Sequence, residues 1–180
     1  MKKSLPAVLL VVIAVALAVY YGARVQATRN ARSRSGPAAR ALSPAPSLTM
    51  VDLDGNKITS ASYAGKVVLV NFWAAWCTPC AEEVPQLMAL QERYRHEGLQ
   101  LIGVSMEDRD SELRAFYRKY QMNYPVVAGS QQIAEAYGGI LGLPTTFLIG
   151  RDGRIHAKYP GMVDFPKVEQ EITALLRSGE

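Results

Sequence analysis

Cysteine is scarce in this chain of 180 residues, which contains only Cys77 and Cys80. Two cysteines form at most one bridge, and a bridge across two intervening residues closes too short a loop to stabilise a fold. A small domain built on several disulfides is therefore excluded. The two cysteines are better explained as a pair that carries out chemistry.

Acidic residues are absent from residues 1–46, which contain seven basic ones. Residues 47–180 hold 13 basic and 16 acidic residues, so the net charge of +4 arises in the N-terminal segment. Nucleic-acid-binding domains concentrate basic residues on their folded part. We therefore predict no nucleic-acid partner for this chain.

A second full-size domain is not expected, because 180 residues are close to the ~150 that form one domain. The chain is 49% hydrophobic and 20% charged. This composition is globular, and it excludes collagen-like structure and disorder of the whole chain.

Charged residues are also missing between Leu5 and Ala23, a run of 19 residues that follows two lysines. As a helix, this run would be roughly 28 Å long, close to the ~30 Å hydrocarbon core of a bilayer. It is longer than the roughly 7–15 apolar residues of a signal peptide, which favours a single membrane-anchoring helix within residues 1–27. A signal sequence cleaved after Val25-Gln26-Ala27, followed by secretion, is the alternative.

Residues 28–47 show no apolar periodicity and are rich in Pro, Ser, Ala and Arg. This composition predicts a flexible linker. Five arginines lie between the apolar run and position 40, against two lysines before the run. By the positive-inside rule, that count alone would place the following domain in the cytoplasm.

From residue 48 onwards, strand and helix patterns alternate. Two short strands flank an Asp54-Gly55 turn, and the apolar runs at 67–72 and 99–105 are typical of strands buried on both faces. Further strands are predicted at 125–128, 145–149 and 155–159, and helices at 78–97, 111–121, 131–137 and 165–177. The order ββ–β–α–β–α–β–α–β–β–α predicts an α/β domain over residues 48–180, with a central mixed sheet covered by helices on both faces.

The most informative stretch runs from a buried strand through Cys77-Thr78-Pro79-Cys80 into a helix. Cys77 would lie at the helix N-terminus, where unpaired N–H groups and the helix dipole favour the thiolate. Cys80 would lie one turn further on, close enough to attack a mixed disulfide. Pro79 stiffens the turn between them, and Pro85 is expected to kink the helix. Thiol–disulfide exchange needs this arrangement.

Other uses of a cysteine pair fit the sequence less well. A zinc site needs four ligands, and besides the pair there are only His96 and His156. Haem attachment needs a histidine after the second cysteine, where this chain has Ala81. Peroxidatic cysteines usually follow a Pro-x-x-x-Thr-x-x pattern, whose proline and threonine positions hold Val70 and Ala74 here. We therefore predict neither a metal nor another cofactor.

Three segments together resemble the TlpA/ResA-like branch of the thioredoxin superfamily: VNFWAAWCTPCAEEVP at 70–85, the helix at 111–121 and GLPTTFLI at 142–149. This branch is related at fold level to the redoxin and AhpC/TSA peroxiredoxins, and the resemblance covers about residues 47–178. It implies a thioredoxin-like fold with an N-terminal β-hairpin and one inserted helix. It also implies a membrane-tethered, extracytoplasmic thiol–disulfide oxidoreductase, so we expect the domain in the periplasm, against the arginine count.

The resemblance also implies roles for the residues of the motif. Cys77 is expected to be the nucleophile and Cys80 the resolving thiol, and together they would form the redox-active disulfide. Trp76 matches the tryptophan that flanks the motif, whereas Trp73 is expected to pack in the core.

A second segment of the resemblance concerns substrate binding. Pro144, between Leu143 and Thr145, matches the family's cis-proline, which packs against the cysteine pair and offers backbone to an extended substrate. From the residues alone, Pro144 is only a proline at the start of a strand. The cis peptide bond is therefore an expectation from the resemblance.

Thioredoxin itself has a buried aspartate at the strand position that Asn71 occupies here. An amide cannot accept the proton of the resolving thiol, so another group must do so. Glu83 follows Cys80 by one helical turn on the same face, and the resemblance places a functional glutamate there. A partly buried carboxylate would have a raised pKa and suit proton transfer near neutral pH; an exposed helix glutamate is the alternative. Glu82 is expected only to complement the helix dipole.

The sequence thus predicts an enzyme that exchanges electrons between the Cys77–Cys80 pair and disulfides or dithiols of other proteins. In this branch the usual direction is reduction, often of apocytochrome c, with electrons supplied by a membrane donor. The rival hypotheses are a peroxiredoxin-like thiol peroxidase and a non-enzymatic copper- or metal-handling module in which His156 would lie near the pair.

Overall fold

The computed structural model describes Tyr20 and residues 43–106 and 109–178. The predicted anchor in residues 1–27, apart from Tyr20, and most of the linker predicted at 28–47 lie outside the described residues. Among the helices that are described, none is both long enough and apolar enough to cross a bilayer.

The order of secondary structure elements matches the prediction. The strands are β1 Thr49–Val51, β2 Lys57–Thr59, β3 Val67–Trp73, β4 Leu99–Ser105, β5 Val126–Ala128, β6 Thr145–Ile149 and β7 Ile155–Pro160. The helices are α1 Thr78–Tyr94, α2 Asp110–Tyr120, α3 Gln131–Ala136 and α4 Phe165–Arg177, with short 3₁₀ turns at Ser60–Tyr63 and Arg95–Glu97. The first helix is shorter than predicted because the chain tightens into the second 3₁₀ turn and then reaches Gly98, whose φ of 106° cannot continue a helix.

The central sheet has the strand order β5-β4-β3-β6-β7. Strands β3, β4 and β5 run parallel, whereas β6 is antiparallel to both β3 and β7. All seven residues of β3 are buried, as expected for a strand covered on both faces. The predicted mixed sheet is therefore confirmed, and β1 and β2 form a separate antiparallel hairpin.

Successive residues of β3 alternate between two hydrophobic clusters, one on each face of the sheet. One cluster packs beneath α1, α2 and α4 and includes both cysteines. The other packs beneath the β1–β2 hairpin and includes Phe72, Phe147 and Tyr137. Elements thus cover both faces of the sheet, and the cysteine pair belongs to one of these faces.

The last residues of the predicted linker pair with the β6–β7 hairpin. The Ile155 N–H donates to the Ser43 carbonyl over 3.2 Å, and the Ala45 N–H donates to the Gly153 carbonyl over 2.9 Å. Backbone pairing of this kind depends on main-chain groups, which have no signature in a side-chain pattern. The described fold therefore includes residues ahead of position 48.

Candidate active site at the Cys77–Cys80 disulfide

The two cysteines are joined by a disulfide at the N-terminus of α1, with 5.3 Å between their Cα atoms. Cys77 is the N-cap residue, and the Cys80 N–H lies 3.3 Å from its sulfur, within hydrogen-bonding distance. Pro79 stands in the first turn, where an N–H would have no helical partner and its loss has little cost. The helix therefore begins at the motif, as the sequence predicted.

Both cysteines are buried in this oxidised form. The exposed fraction is 5% for Cys77 and 2% for Cys80. Cys77 is therefore only slightly more exposed than Cys80, and the assignment of Cys77 as the thiol that meets substrate first remains a prediction. Thr78 and Pro79, between the two cysteines, are exposed.

The loop before β6 lies against the same cluster. The Leu143–Pro144 peptide bond is cis, which confirms the expectation from the resemblance. Pro144 is buried, and Leu143 packs against the cluster that contains the cysteines. The Pro144 carbonyl accepts the Gly161 N–H over 2.9 Å, and the Thr145 hydroxyl donates to the Gly142 carbonyl over 2.7 Å. Hydrogen bonds on both sides of Pro144 hold this loop in place.

The two tryptophans lie in different environments, and the core position predicted for Trp73 is confirmed. Trp73 is 1% exposed, and its ring centroid lies 4.6 Å from that of Phe116 in the core. Trp76, directly before Cys77, is 63% exposed. Two further large apolar side chains, Leu141 and Met162, are exposed on other loops. We call Trp76, Leu141 and Met162 the apolar rim, because each is exposed and lies one or two residues from a residue that belongs to, or packs against, the cluster containing the cysteines.

Asn71 is buried in the middle of β3 and carries no proton acceptor. Its amide nitrogen donates to the Thr146 hydroxyl over 2.9 Å, across the β3–β6 pairing. The side chain is 4% exposed. Its amide therefore joins two central strands, and an acceptor for the resolving thiol must come from another element.

Glu83 is fully buried on α1, with an exposed fraction of 0%. Its Oε1 accepts the Val163 N–H over 2.6 Å, whereas Oε2 has no hydrogen-bond partner among the described residues. Burial raises the pKa of Glu83 from its ordinary 4.5 to about 7, although the bond from Val163 acts in the opposite direction. The alternative of an exposed helix glutamate is therefore wrong. Glu82, its neighbour, is exposed.

Two residues near Glu83 were not identified from the sequence. Val163 contributes a backbone N–H from the segment before α4, and a main-chain group leaves no signal in the residue type. Tyr124 lies between α2 and β5 and is 3% exposed. Burial and, secondly, the negative charge of Glu83 raise the pKa of the Tyr124 hydroxyl. A tyrosine beside a predicted strand was the only available signal, and it did not distinguish Tyr124 from other core aromatics.

The histidines lie away from the disulfide. His96 is exposed in the 3₁₀ turn after α1. His156 stands near the start of β7, whereas Pro160 at the other end pairs with Thr145 beside the cis-proline. The Nε2 atom of His156 lies 3.8 Å from a carboxylate oxygen of Glu171. Within residues 43–106 and 109–178, no three Cys, His, Asp or Glu side chains are grouped so that they could hold a metal ion.

Comparison with known proteins agrees with this geometry. Residues 42–158 match the model of the AhpC/TSA family. The thiol-disulfide oxidoreductase ResA of Bacillus thuringiensis subsp. konkukian is 34% identical over 118 residues, which are 65% of this chain and 68% of that protein.

Solved structures show the same fold. A thiol:disulfide interchange protein of the thioredoxin family from Chlorobium tepidum superimposes with a TM-score of 0.70 and 28% identity, over 75% of this chain and 97% of that one. The thioredoxin domain of a thiol-disulfide oxidoreductase from Bacteroides vulgatus gives a TM-score of 0.65 and 30% identity, over 72% and 96% of the two chains. The chain therefore belongs to the AhpC/TSA family, as a TlpA/ResA-like thiol–disulfide oxidoreductase of thioredoxin fold.

Proposed function

We propose that this protein is tethered to the membrane by its N-terminal segment and reduces protein disulfides outside the cytoplasm. The disulfide chemistry is supported by a fully buried glutamate one helical turn beyond Cys80, with a pKa of about 7. The tether and the location are supported by the uncharged run of residues 5–23 and by the family resemblance. A resolving thiol must lose its proton before it attacks, and such a carboxylate can take that proton near neutral pH.

The reaction begins with the reduced pair. The Cys77 thiolate attacks a substrate disulfide, forming a mixed disulfide and releasing one substrate sulfur as a thiolate, which takes up a proton. Cys80 then attacks the Cys77 sulfur, which expels the second substrate thiolate and forms the Cys77–Cys80 disulfide. Two electrons pass from the pair to the substrate, and a dithiol donor at the membrane restores the reduced pair.

Glu83 takes part in the second step. Near pH 7 its buried carboxyl group is present in both ionisation states, so it can receive the proton of Cys80 and later return one to a departing thiolate. Asn71, at the position of the thioredoxin aspartate, cannot act in this way because its amide does not titrate.

Substrate recognition is proposed to use the cis-proline loop and the apolar rim. The Pro144 carbonyl already accepts the Gly161 N–H, so the backbone of Leu143 is the part of the loop that would pair with an extended substrate segment. Trp76, Leu141 and Met162 offer apolar contacts around it. We therefore propose as substrate an unfolded or extended protein segment with exposed apolar side chains, such as apocytochrome c.

The test is to trap substrates on the Cys80→Ser variant in the native cell envelope. Without the resolving thiol, mixed disulfides with Cys77 should accumulate and be released by a reductant. A matched control carries both Cys77→Ser and Cys80→Ser and should trap nothing. Equal recovery of proteins from the two variants would contradict the proposal.

A thiol peroxidase is the second candidate, because the matching family model is that of AhpC/TSA proteins. Val70 and Ala74 occupy the positions of the peroxidatic proline and threonine, which favours disulfide exchange. Hydrogen peroxide consumption by the reduced protein distinguishes the two. We expect a rate no higher than that of other protein thiols, whereas rapid consumption that depends on Cys77 would favour the peroxidase.

A further inference from the structure

Residues 161–163, which we call the bridge segment, contact both the cis-proline loop and the proposed proton acceptor. The Gly161 N–H donates to the Pro144 carbonyl over 2.9 Å. The Val163 N–H donates to Oε1 of Glu83 over 2.6 Å. Two hydrogen bonds from one short segment therefore connect the loop proposed to meet substrate with the carboxylate proposed to take up a proton.

The bridge segment begins where the pairing of β6 with β7 ends. Strand β7 ends at Pro160, which pairs with Thr145, and the Gly161 bond to Pro144 extends this pairing by one residue. Gly161 has a φ of 83°, a conformation that residues with a Cβ atom rarely adopt. After it the chain leaves the sheet, and the Val163 N–H meets α1 instead of β6. Gly161 is thus the point at which the backbone changes partner.

The surroundings of Gly161 are open. A Cβ atom there would meet no atom of the described residues within 4 Å, apart from its chain neighbours. An L-residue at this position would therefore disturb the backbone conformation without a steric clash. Gly55, in the β1–β2 turn, has a φ of 86° and equally open surroundings. The two glycines form a matched pair, of which only Gly161 adjoins the candidate site.

The other end of the bridge segment is fixed by burial. Val163 is 7% exposed and belongs to the cluster that contains the cysteines. Glu83 is fully buried in the same region, and its Oε2 has no hydrogen-bond partner among the described residues. The hydrogen bonding of this carboxylate therefore depends on where the Val163 N–H points.

Titratable groups on the elements around Glu83 are either neutral near pH 7 or engaged with other partners. Cys77 and Cys80 are joined in the disulfide and do not titrate in the oxidised protein. Burial raises the pKa of Tyr124, on the α2–β5 connection, above its ordinary 10, so its hydroxyl stays neutral. Two carboxylates of the α4 region accept hydrogen bonds from other groups, Asp164 from the Lys167 N–H and Glu171 from the Tyr159 hydroxyl. A change in the bond from Val163 should therefore be read directly in the titration of Glu83.

We propose that Gly161 is a positioning residue for Glu83: its left-handed backbone aligns the Val163 N–H with Oε1 while its own N–H holds the cis-proline loop. The inference rests on the proposed function of Glu83 as the proton acceptor. A hydrogen bond to the charged form of a carboxyl group favours ionisation. The alignment thus keeps Glu83 able to take up a proton near neutral pH.

Gly161→Ala tests this alignment, because alanine is strained at a φ of 83°. A weaker bond from Val163 should move the ionisation midpoint of Glu83 to higher pH. Gly161→Asn should move it less, since asparagine tolerates positive φ better than alanine. Gly55→Ala introduces the same strain away from the site and should leave the midpoint unchanged. The measurement is NMR of the side-chain carboxyl groups in the oxidised full-length protein.

A backbone replacement at Val163 gives the size of the effect. α-Hydroxyisovaleric acid in place of Val163 removes the N–H and keeps the side chain, and it should raise the midpoint by about one pH unit. An unchanged or lowered midpoint in this variant or in Gly161→Ala would overturn the inference, as would an equal shift in Gly55→Ala. If Gly161→Ala does not fold, Gly161→Asn decides by the same criterion.

Kinetics separate this inference from the proposed function. The probe is a synthetic peptide with one disulfide, which the reduced protein reduces at pH 7. If Glu83 is the acceptor, a midpoint raised by about one pH unit should slow this reaction about fivefold, because less carboxylate is present. A raised midpoint in Gly161→Ala together with a wild-type rate in Glu83→Gln would refute the catalytic role of Glu83 and leave the positioning role of Gly161 standing.

Discussion

A buried carboxyl group that ionises near pH 7 should destabilise the folded protein above that pH. Glu83 has a pKa of about 7 in the folded chain and an ordinary value of 4.5. Below pH 4.5 the group is protonated in both the folded and the unfolded state, so its burial does not lower the stability of the folded protein. As the pH rises towards 7, the unfolded chain ionises more readily than the folded one, and stability is lost. The loss is complete above pH 7.

The size of this effect follows from the shift in the pKa of Glu83. At 1.36 kcal/mol for each pH unit between the two values, the folded protein loses up to about 3 kcal/mol between pH 4.5 and pH 8. Glutamine has the size of a protonated glutamate and does not ionise. The Glu83→Gln variant should therefore be as stable as the wild type near pH 4.5 and more stable by up to about 3 kcal/mol at pH 8.

Urea denaturation of the oxidised proteins at several pH values between 4.5 and 8 measures this difference. Glu82→Gln is the matched control, since Glu82 is the exposed neighbour on the same helix, and its difference from the wild type should not grow with pH. A constant difference between Glu83→Gln and the wild type over this range would refute the reasoning, because Glu83 would then have the same pKa in both states.

Three further predictions concern activity, thiol order and topology. Glu83→Gln should slow disulfide reduction by about 10²-fold and remove the pH dependence between about pH 5 and 8; a wild-type rate and profile would show that Cys80 loses its proton to another group. Alkylation of the reduced protein should label Cys77 before Cys80, because Cys77 is the N-cap of a helix, where the thiolate is favoured; the opposite order, read by mass spectrometry, would reverse their roles. Protease added to intact spheroplasts should digest residues 48–180, whereas complete protection would mean that the arginine count gave the correct orientation.

The local parts of the fold could be predicted from the sequence because they depend on patterns within short segments. The strand predicted at 67–72 and the helix start at residue 78 follow from an apolar run and helix-start residues, and β3 extends this strand by one residue, Trp73. The cis bond before Pro144 could be expected only from the family resemblance. No pattern within residues 142–149 distinguishes it from a trans bond at the start of a strand.

The surroundings of Glu83 could not be predicted in the same way. Its position one turn beyond Cys80 is a matter of helical spacing, but its complete burial depends on the segment that contributes Val163, 80 residues further along the chain. Tyr124 reaches the same region from a different segment, the connection between α2 and β5. Contacts between distant segments depend on how the helices pack on the sheet, and a single sequence contains no direct record of that packing.

The hydrogen bond from Val163 connects Glu83, the proposed proton acceptor, to a segment that also carries the exposed Met162. A carboxylate accepts a hydrogen bond more strongly than a protonated carboxyl group does, so the segment before α4 is held more firmly while Glu83 is ionised. Met162 of the apolar rim lies directly before Val163. If Glu83 takes the proton of Cys80 as proposed, its hydrogen bond to the Val163 N–H should weaken at the step that expels the reduced substrate. The chemistry itself would then favour departure of the product.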